Sequence, residues 1–318
     1  MPPPTARLTA FDDGITAIDT EYARPTQDAS HLIIENGRAA FVDTGANNAV
    51  PLLLDALARA GLGRGDVDYV FLTHVHLDHA GGAGALLTHL PNARCVLHPR
   101  GAPHMIDPSR LWTGTEAVYG KRRAREIYGR LVPIDADRID IANDGDTFSV
   151  AGRDFRALHT EGHARHHYVL HDPASQSVFT GDSFGISYRE FDTAAGPFIF
   201  PSATPIDFDP DAAHVAYDRI MACEPRHVFL THYSRVADLD RLVADLHAGI
   251  DAYRHMALAH EHDDDRLERL RESMFAYLGE RAHAHGYAGD SDALWSLLSI
   301  DVDLNAQGLD VWLKRRRQ

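Results

Sequence analysis

The stretch "FLTHVHLDHAGG", Phe71 to Gly82, places His74, His76, Asp78 and His79 within six positions directly after an apolar run. Titratable side chains this close repel one another when charged and desolvate one another when buried, so something must offset the cost. A metal ion does so. His74 and His76 stand at i and i+2 in an extended segment leaving a strand, so both project to one side. Asp78 and His79 follow on the turn into a glycine-rich helix and address a second point nearby. Imidazoles with a carboxylate suit zinc, and also iron or manganese. Read singly, Asp78 is a helix N-cap and each histidine a surface residue; together, after an apolar strand, they read as ligands.

Three further apolar runs end in the same way. "RALHTEGHARHHYVL" offers His163, "SVFTGDSFG" offers Asp182, and "RHVFLTHYS" offers His232. Strand ends of a sheet converge on one edge, where sites are commonly built. With 21 histidines in the chain, abundance alone decides nothing. Those of the C-terminal part, such as His255 and His262, read as solvated.

The elements behind these residues are legible. "GITAIDTEY", "SHLIIENG" and "RAAFVDTG" read as strands, with "ENG" a hairpin turn. "NAVPLLLDALARAGLG" reads as a helix closed by Gly61. "VDYVFLTH" is a buried strand, and "AGGAGALLTHLP" a helix loaded with glycine. Each such glycine costs about 1 kcal/mol against alanine, so something is expected to approach that backbone closely. "ARCVLHP", "DTFSVAGRDFRALHT", "HHYVLHD", "QSVFTGD" and "RHVFLTH" supply further strands. Strands interspersed with helices give an α/β (α+β) layered domain over residues 1–237. From residue 238 to 318 the apolar spacing turns helical, with Leu239, Leu242, Val243, Leu246, Ile250 and Tyr253 on one face. "ALWSLLSI" and "NAQGLDVWLKRRR" continue this helical extension.

In order, H-x-H-x-D-H, G-H, G-D and T-H resemble the metallo-β-lactamase superfamily over roughly residues 10 to 237. The resemblance implies a four-layer αβ/βα sandwich with a dinuclear site on one edge. His74, His76 and His163 would hold one metal, Asp78, His79 and His232 the other, and Asp182 would bridge. Asp43 in "FVDTG" matches a family aspartate beneath the site, where it would orient a ligand imidazole; its alternative is a strand-end turn. His167 falls where members often carry histidine, or is a strand-entry residue. Within the superfamily the chain looks like the glyoxalase II and lactonase-like hydrolases. Two divalent ions, zinc first and iron or manganese otherwise, would then provide metal-bound hydroxide to attack an ester, thioester or lactone carbonyl. Asp78 and Asp182 would be the carboxylates of that chemistry. The alternative on the same scaffold is an iron-dependent oxidoreductase, a persulfide dioxygenase or a di-iron centre for oxygen or NO.

Composition narrows the partners. The 318-residue chain carries a formal net charge of −15 at pH 7, which opposes nucleic acid and other polyanions. No apolar run is long enough to span a bilayer. The start "MPPPTARLTAFDDG" lacks a secretory pattern, and Cys95 and Cys223 read as core thiols, so a cytoplasmic setting is expected. The terminal "LKRRRQ" reads as a helix end opposing the macrodipole. The expected partner is a small-molecule substrate, without nucleic acid or membrane; the helical extension either caps the pocket or forms a homodimer contact. Two insertions, His104 to Leu131 and Phe184 to Ser202, carry Trp112, Tyr119, Tyr188, Phe191, Phe198 and Phe200, which either wall an apolar pocket or pack. Tyr188 is the leading candidate for a substrate contact. The run Lys121 to Arg125 is either a solvated helix face or part of a lid that steers a carboxylate-bearing substrate.

Overall fold

The computed structural model describes residues 4–317. Met1–Pro3 and Gln318, which belong to the opening and closing stretches quoted above, lie outside the described residues. The chain divides into two compact units. The first holds the chain up to His159 with His166–Gly181 and Pro225–Arg235. The second holds Thr160–Arg165, Asp182–Glu224 and the chain from Val236 onward.

In chain order the first unit opens with β1 (Leu8–Ala10), β2 (Ile15–Asp19), β3 (Ala29–Glu35), β4 (Arg38–Val42) and α1 (Val50–Arg59). There follow β5 (Val67–Leu72), α2 (Leu77–Ala80), α3 (Ala83–His89), β6 (Arg94–Leu97), α4 (Ala102–Ile106), α5 (Ser109–Tyr119), α6 (Lys121–Tyr128) and β7 (Ile139–Ile141). Strands β1 to β7 form one mixed sheet in sequence order, antiparallel as far as β4 and parallel thereafter. A second mixed sheet is built from β8 (Thr147–Val150), β9 (Arg153–His159), β10 (Tyr168–Asp172), β11 (Ser177–Gly181), β12 (His227–Leu230) and β13 (Ser234–Val236). The stretch "DTFSVAGRDFRALHT" is thus a hairpin of β8 and β9.

Alternation explains why the last three positions of β5, Val70–Leu72, are all apolar. Val70 and Leu72 pack into a core shared with Leu53 and Leu57 of α1 and Leu86 and Leu87 of α3. Phe71, pointing the other way, joins Phe155, Tyr168, Phe179 and Phe229 of the second sheet. Each such side chain removed from water stabilises by roughly 1.5–3 kcal/mol. Between β3 and β4, Asn36 and Gly37 both take positive φ (45° and 77°), the two-residue turn expected from "ENG".

The glycine-loaded segment is two helices, with Gly81 and Gly82 between α2 and α3. What approaches this backbone is the chain itself. A Cβ on Gly84 would lie 1.8 Å from the Val132 carbonyl oxygen, and one on Gly82 would lie 2.9 Å from that of Ala46. Cys95 is buried in the core beneath α1 and α3.

The second unit contains α7 (Pro210–Met221), α8 (Leu239–Ala259), α9 (Arg266–Ala284) and α10 (Ser291–Arg316). Alpha-helix α8 buries Leu239, Leu242, Leu246, Ile250 and Tyr253, as the spacing predicts, with Val243 at the margin. The two C-terminal apolar stretches are one 26-residue helix, α10. Its Gly308 lies under residue 203, where a Cβ would stand 1.6 Å from the Ala203 carbonyl oxygen. Among the described residues no helix is long and apolar enough to cross a membrane.

Replacing Gly84 with alanine is expected to destabilise by about 1–3 kcal/mol, the usual cost of overpacking, because Val132 must be pushed away. Urea denaturation checks this: the midpoint should fall while the slope stays that of the parent.

Candidate metal centre

The first unit gathers five of the seven expected donors around a buried carboxylate. Chain leaves β4 at Asp43, which takes φ +56° and is fully buried. One Asp43 oxygen accepts from the Thr73 amide at 2.9 Å, and the other lies 2.8 Å from His79 Nδ1 and accepts from the Thr231 hydroxyl at 2.8 Å. The Thr73 hydroxyl donates to the same carboxylate at 2.9–3.0 Å. Asp43 therefore serves both as the turn residue and as the orienter of a ligand imidazole, because a carboxylate on Nδ1–H turns Nε2 outward as a lone-pair donor.

His232, one residue beyond Thr231 at the end of β12, also has a carboxylate at its Nδ1: an oxygen of Asp28 lies 2.7 Å away, and the Gln27 carbonyl, at 3.3 Å, is its hydrogen-bond partner. Asp28 is fully buried at the entry to β3. The two Nε2 atoms so presented meet Asp78, whose Oδ2 is 3.9 Å from that of His79 and 3.7 Å from that of His232. Ligand atoms of Asp78, His79 and His232 all lie within 4.8 Å of one another. Atoms held at about 2.0–2.2 Å from one ion are separated by distances of this order. Two imidazoles oriented by carboxylates, with one carboxylate between them, fit a divalent ion.

His74 and His76 also come together, with Nε2 of the first 2.9 Å from Nδ1 of the second. Thr73 Oγ1, its proton directed at Asp43, stands 3.2 Å from His74 Nδ1 and can accept from it, which again sets Nε2 as the coordinating atom. His167 is buried at the entry to β10 and stacks on His74 with ring centroids 4.7 Å apart. Gly181, at φ +50°, leaves room for this arrangement: a Cβ there would lie 2.4 Å from Thr73 Oγ1 and 2.9 Å from His167 Nε2.

The other two expected donors belong to the second unit. His163 follows β9 and Asp182 follows β11; His163 Nε2 is 3.5 Å from Asp182 Oδ2. Both are buried and both contact the segment at 202–204. Ser202 Oγ donates to Asp182 at 3.4 Å, and Thr204 Oγ1 is 3.4 Å from His163 Nε2. That segment is fixed by α10, where Asn305 Oδ1 accepts from the Ala203 amide at 2.6 Å. Tyr188 is 1% exposed, and its hydroxyl donates to Asp301 of α10 at 3.1 Å. Phe191, Phe198 and Phe200 are buried packing residues.

In the first unit Trp112 and Tyr119 are half-buried in a cluster with Ala46, Leu77, Tyr128 and Tyr22. The hydroxyls of Tyr22 and Tyr128 share a hydrogen bond. Burial, with a smaller push from the Asp78 carboxylate, raises the pKa of both phenols.

Residues 23–232 match the metallo-beta-lactamase superfamily. The chain belongs to that family. Its fold is the metallo-β-lactamase sandwich of two mixed sheets with helices and a helical C-terminal region. A metallo-beta-lactamase superfamily protein from the archaeon Sulfolobus tokodaii superposes with a TM-score of 0.62 at 20% identity, covering 93% of this chain and 98% of its own. Among curated proteins, hydroxyacylglutathione hydrolase of Stenotrophomonas maltophilia is 33% identical over 152 residues, 48% of this chain and 44% of its own. An atrochrysone carboxyl ACP thioesterase of Aspergillus chevalieri is 29% identical over 160 residues, 49% and 40% respectively. This superfamily member thus spans less than half the length of either curated relative.

Sequence reasoning missed Asp28, Thr73 and Thr231. A signal for the threonines was present: "FLTH" occurs at Phe71–His74 and again at Phe229–His232, and both hydroxyls bind Asp43. Asp28 lies some two hundred residues from its histidine, and no local pattern marks it. Asp28→Asn should weaken zinc binding by about 10–100-fold, the usual loss on removing an imidazole's carboxylate partner. Competition against a chromophoric chelator measures this without an activity assay, and unaltered affinity would show that Asp28 does not set the tautomer of His232.

Proposed function

We propose that this protein is a dinuclear metal-dependent hydrolase of esters, thioesters or lactones, with thioesters favoured. The observation that carries the proposal is the pair of imidazoles, His79, hydrogen-bonded at Nδ1 to buried Asp43, and His232, with buried Asp28 2.7 Å from its Nδ1, each presenting Nε2 to Asp78. Such orientation is what a bound ion requires and what a merely packed histidine does not. The thioesterase named among the curated relatives supports the choice of bond.

In this reading His74, His76 and His163 would hold one ion and Asp78, His79 and His232 the second, with Asp182 as a donor common to both. Bound there, two divalent ions, zinc foremost, supply Lewis acidity toward a carbonyl and bring the pKa of water toward neutrality. The chain does the rest. Asp43 and Asp28, placed at Nδ1 of His79 and His232, leave Nε2 of each ring as the atom turned toward Asp78. The Asp182 carboxylate takes the proton that the attacking water gives up, and Ser202 steadies it from the other side. The substrate is a small or medium-sized acyl compound with an apolar part. The setting is the cytoplasm, and neither nucleic acid nor membrane takes part.

Metal analysis of protein grown in zinc-supplemented medium should return two ions per chain. Asp182→Asn should keep the fold by circular dichroism yet lower turnover of an acyl thioester by about two to four orders of magnitude, as expected for a proton-transfer group. Asp43→Asn should lose less. A panel of thioesters, lactones, aryl esters and phosphodiesters tests the bond class. Turnover confined to phosphodiesters would overturn it, as would oxygen uptake with a persulfide by the iron-loaded protein.

A further inference from the structure

The α5–α6 insertion is strongly basic in an acidic protein. Between residues 100 and 131 stand Arg100, Arg110, Lys121, Arg122, Arg123, Arg125 and Arg130 against three carboxylates, while the whole chain carries −15. The charge is densest on α6. At 100° per residue, Lys121, Arg125 and Arg122 share one side of that helix, and Ala124, Ile127 and Tyr128 the other. Burial follows the split: Ala124 and Tyr128 are buried, whereas Lys121, Arg122, Arg123 and Arg125 are exposed. Only Glu126 stands among them on α6, 3.9 Å from both Arg122 and Arg123.

The two sides of α6 address different things. The inner one, through Tyr128, packs in a cluster with Leu77, the chain neighbour of Asp78. Trp112 and Tyr119 add half-buried aromatic surface there. The outer one is a convex row of arginines. A small anion is best held in a concave nest of donors, as phosphate is by backbone amides. A convex cationic helix side instead matches an extended acidic surface, and such complementarity mainly directs encounter and register.

We propose that α6 docks an acidic carrier protein that bears the acyl group, so that the acyl thioester enters past Tyr128 toward Asp78 while the carrier rests on Lys121, Arg122 and Arg125. This rests on the thioesterase reading above and adds the identity of the partner. At physiological salt the Debye length is about 8 Å, so the local surface outweighs the net negative charge of the rest of the chain. Hydrolysis balances simply: water adds across the thioester, releasing the carboxylic acid and the carrier's free thiol.

The test compares hexanoyl thioesters of an acidic acyl carrier protein, of coenzyme A and of N-acetylcysteamine, at about 0.15 M salt. The readout is the ratio of kcat/KM for the carrier-borne substrate to that for N-acetylcysteamine. The wild-type ratio should be well above one. It should fall about tenfold or more in the Lys121→Glu/Arg122→Glu/Arg125→Glu protein, and by an intermediate factor in the corresponding triple glutamine variant, which guards against misfolding of the first. A ratio unaffected by either variant overturns the proposal. So does a loss confined to the coenzyme A substrate, which would mark a nucleotide-phosphate site instead. If the wild type hydrolyses none of the three thioesters, it is the thioesterase reading that fails; turnover of the small substrates without the carrier-borne one overturns the docking proposal alone.

Discussion

A carboxylate taken out of water loses several kcal/mol of solvation unless donors replace the water. Asp43 is such a group, and the first unit is organised around meeting its demand. The Thr73 amide and hydroxyl, the Thr231 hydroxyl and the His79 ring satisfy it, which ties the ends of β4, β5 and β12 and the short helix α2 to one point. Charge-assisted hydrogen bonds of this kind are roughly twice as strong as neutral ones. Their directions are fixed, so the strand ends that supply donors are fixed with them. The ligand geometry of His74, His79 and His232 is a by-product of that constraint, since each is a direct neighbour of a donor or is one itself.

This explains why so much of the candidate site was legible. His74, His76, Asp78 and His79 are local, and a strand-to-turn register is enough to bring them together. His163, Asp182 and His232 were singled out because each ends an apolar run, and the structure places each just beyond or at the end of its strand. The residues that tune these donors were not legible to the same degree. Asp28 acts across 204 positions, and Asn305 acts through a main-chain amide, a contact that depends on no side-chain type at its other end.

The fold divides along similar lines. Strands with one side in each core read as continuous apolar runs, and the helix α8 announced itself by spacing. Less visible were α5, which buries no residue fully, and α6, whose exposed positions are charged and whose inner ones carry few aliphatic residues. The glycines at 81, 82 and 84 raised the right question, but sequence could not tell a ligand from a passing strand of main chain; Val132 and Ala46 gave the answer. Tyr188 shows the same ambiguity for aromatics, since a phenol serves equally well as a substrate contact or as a donor to a buried aspartate, and here it faces Asp301.

The contact of Asn305 with the Ala203 amide has an evolutionary corollary. Because α10 holds the segment that touches His163 and Asp182, the C-terminal helices cannot be exchanged by recombination as an independent module. A crossover that imported a foreign tail alone would leave residues 202–204 without their anchor, and Gly308 would have to be matched by whatever main chain passed over it. The 184–204 loop and the terminal helix are therefore expected to diversify in concert, as lock and tumbler.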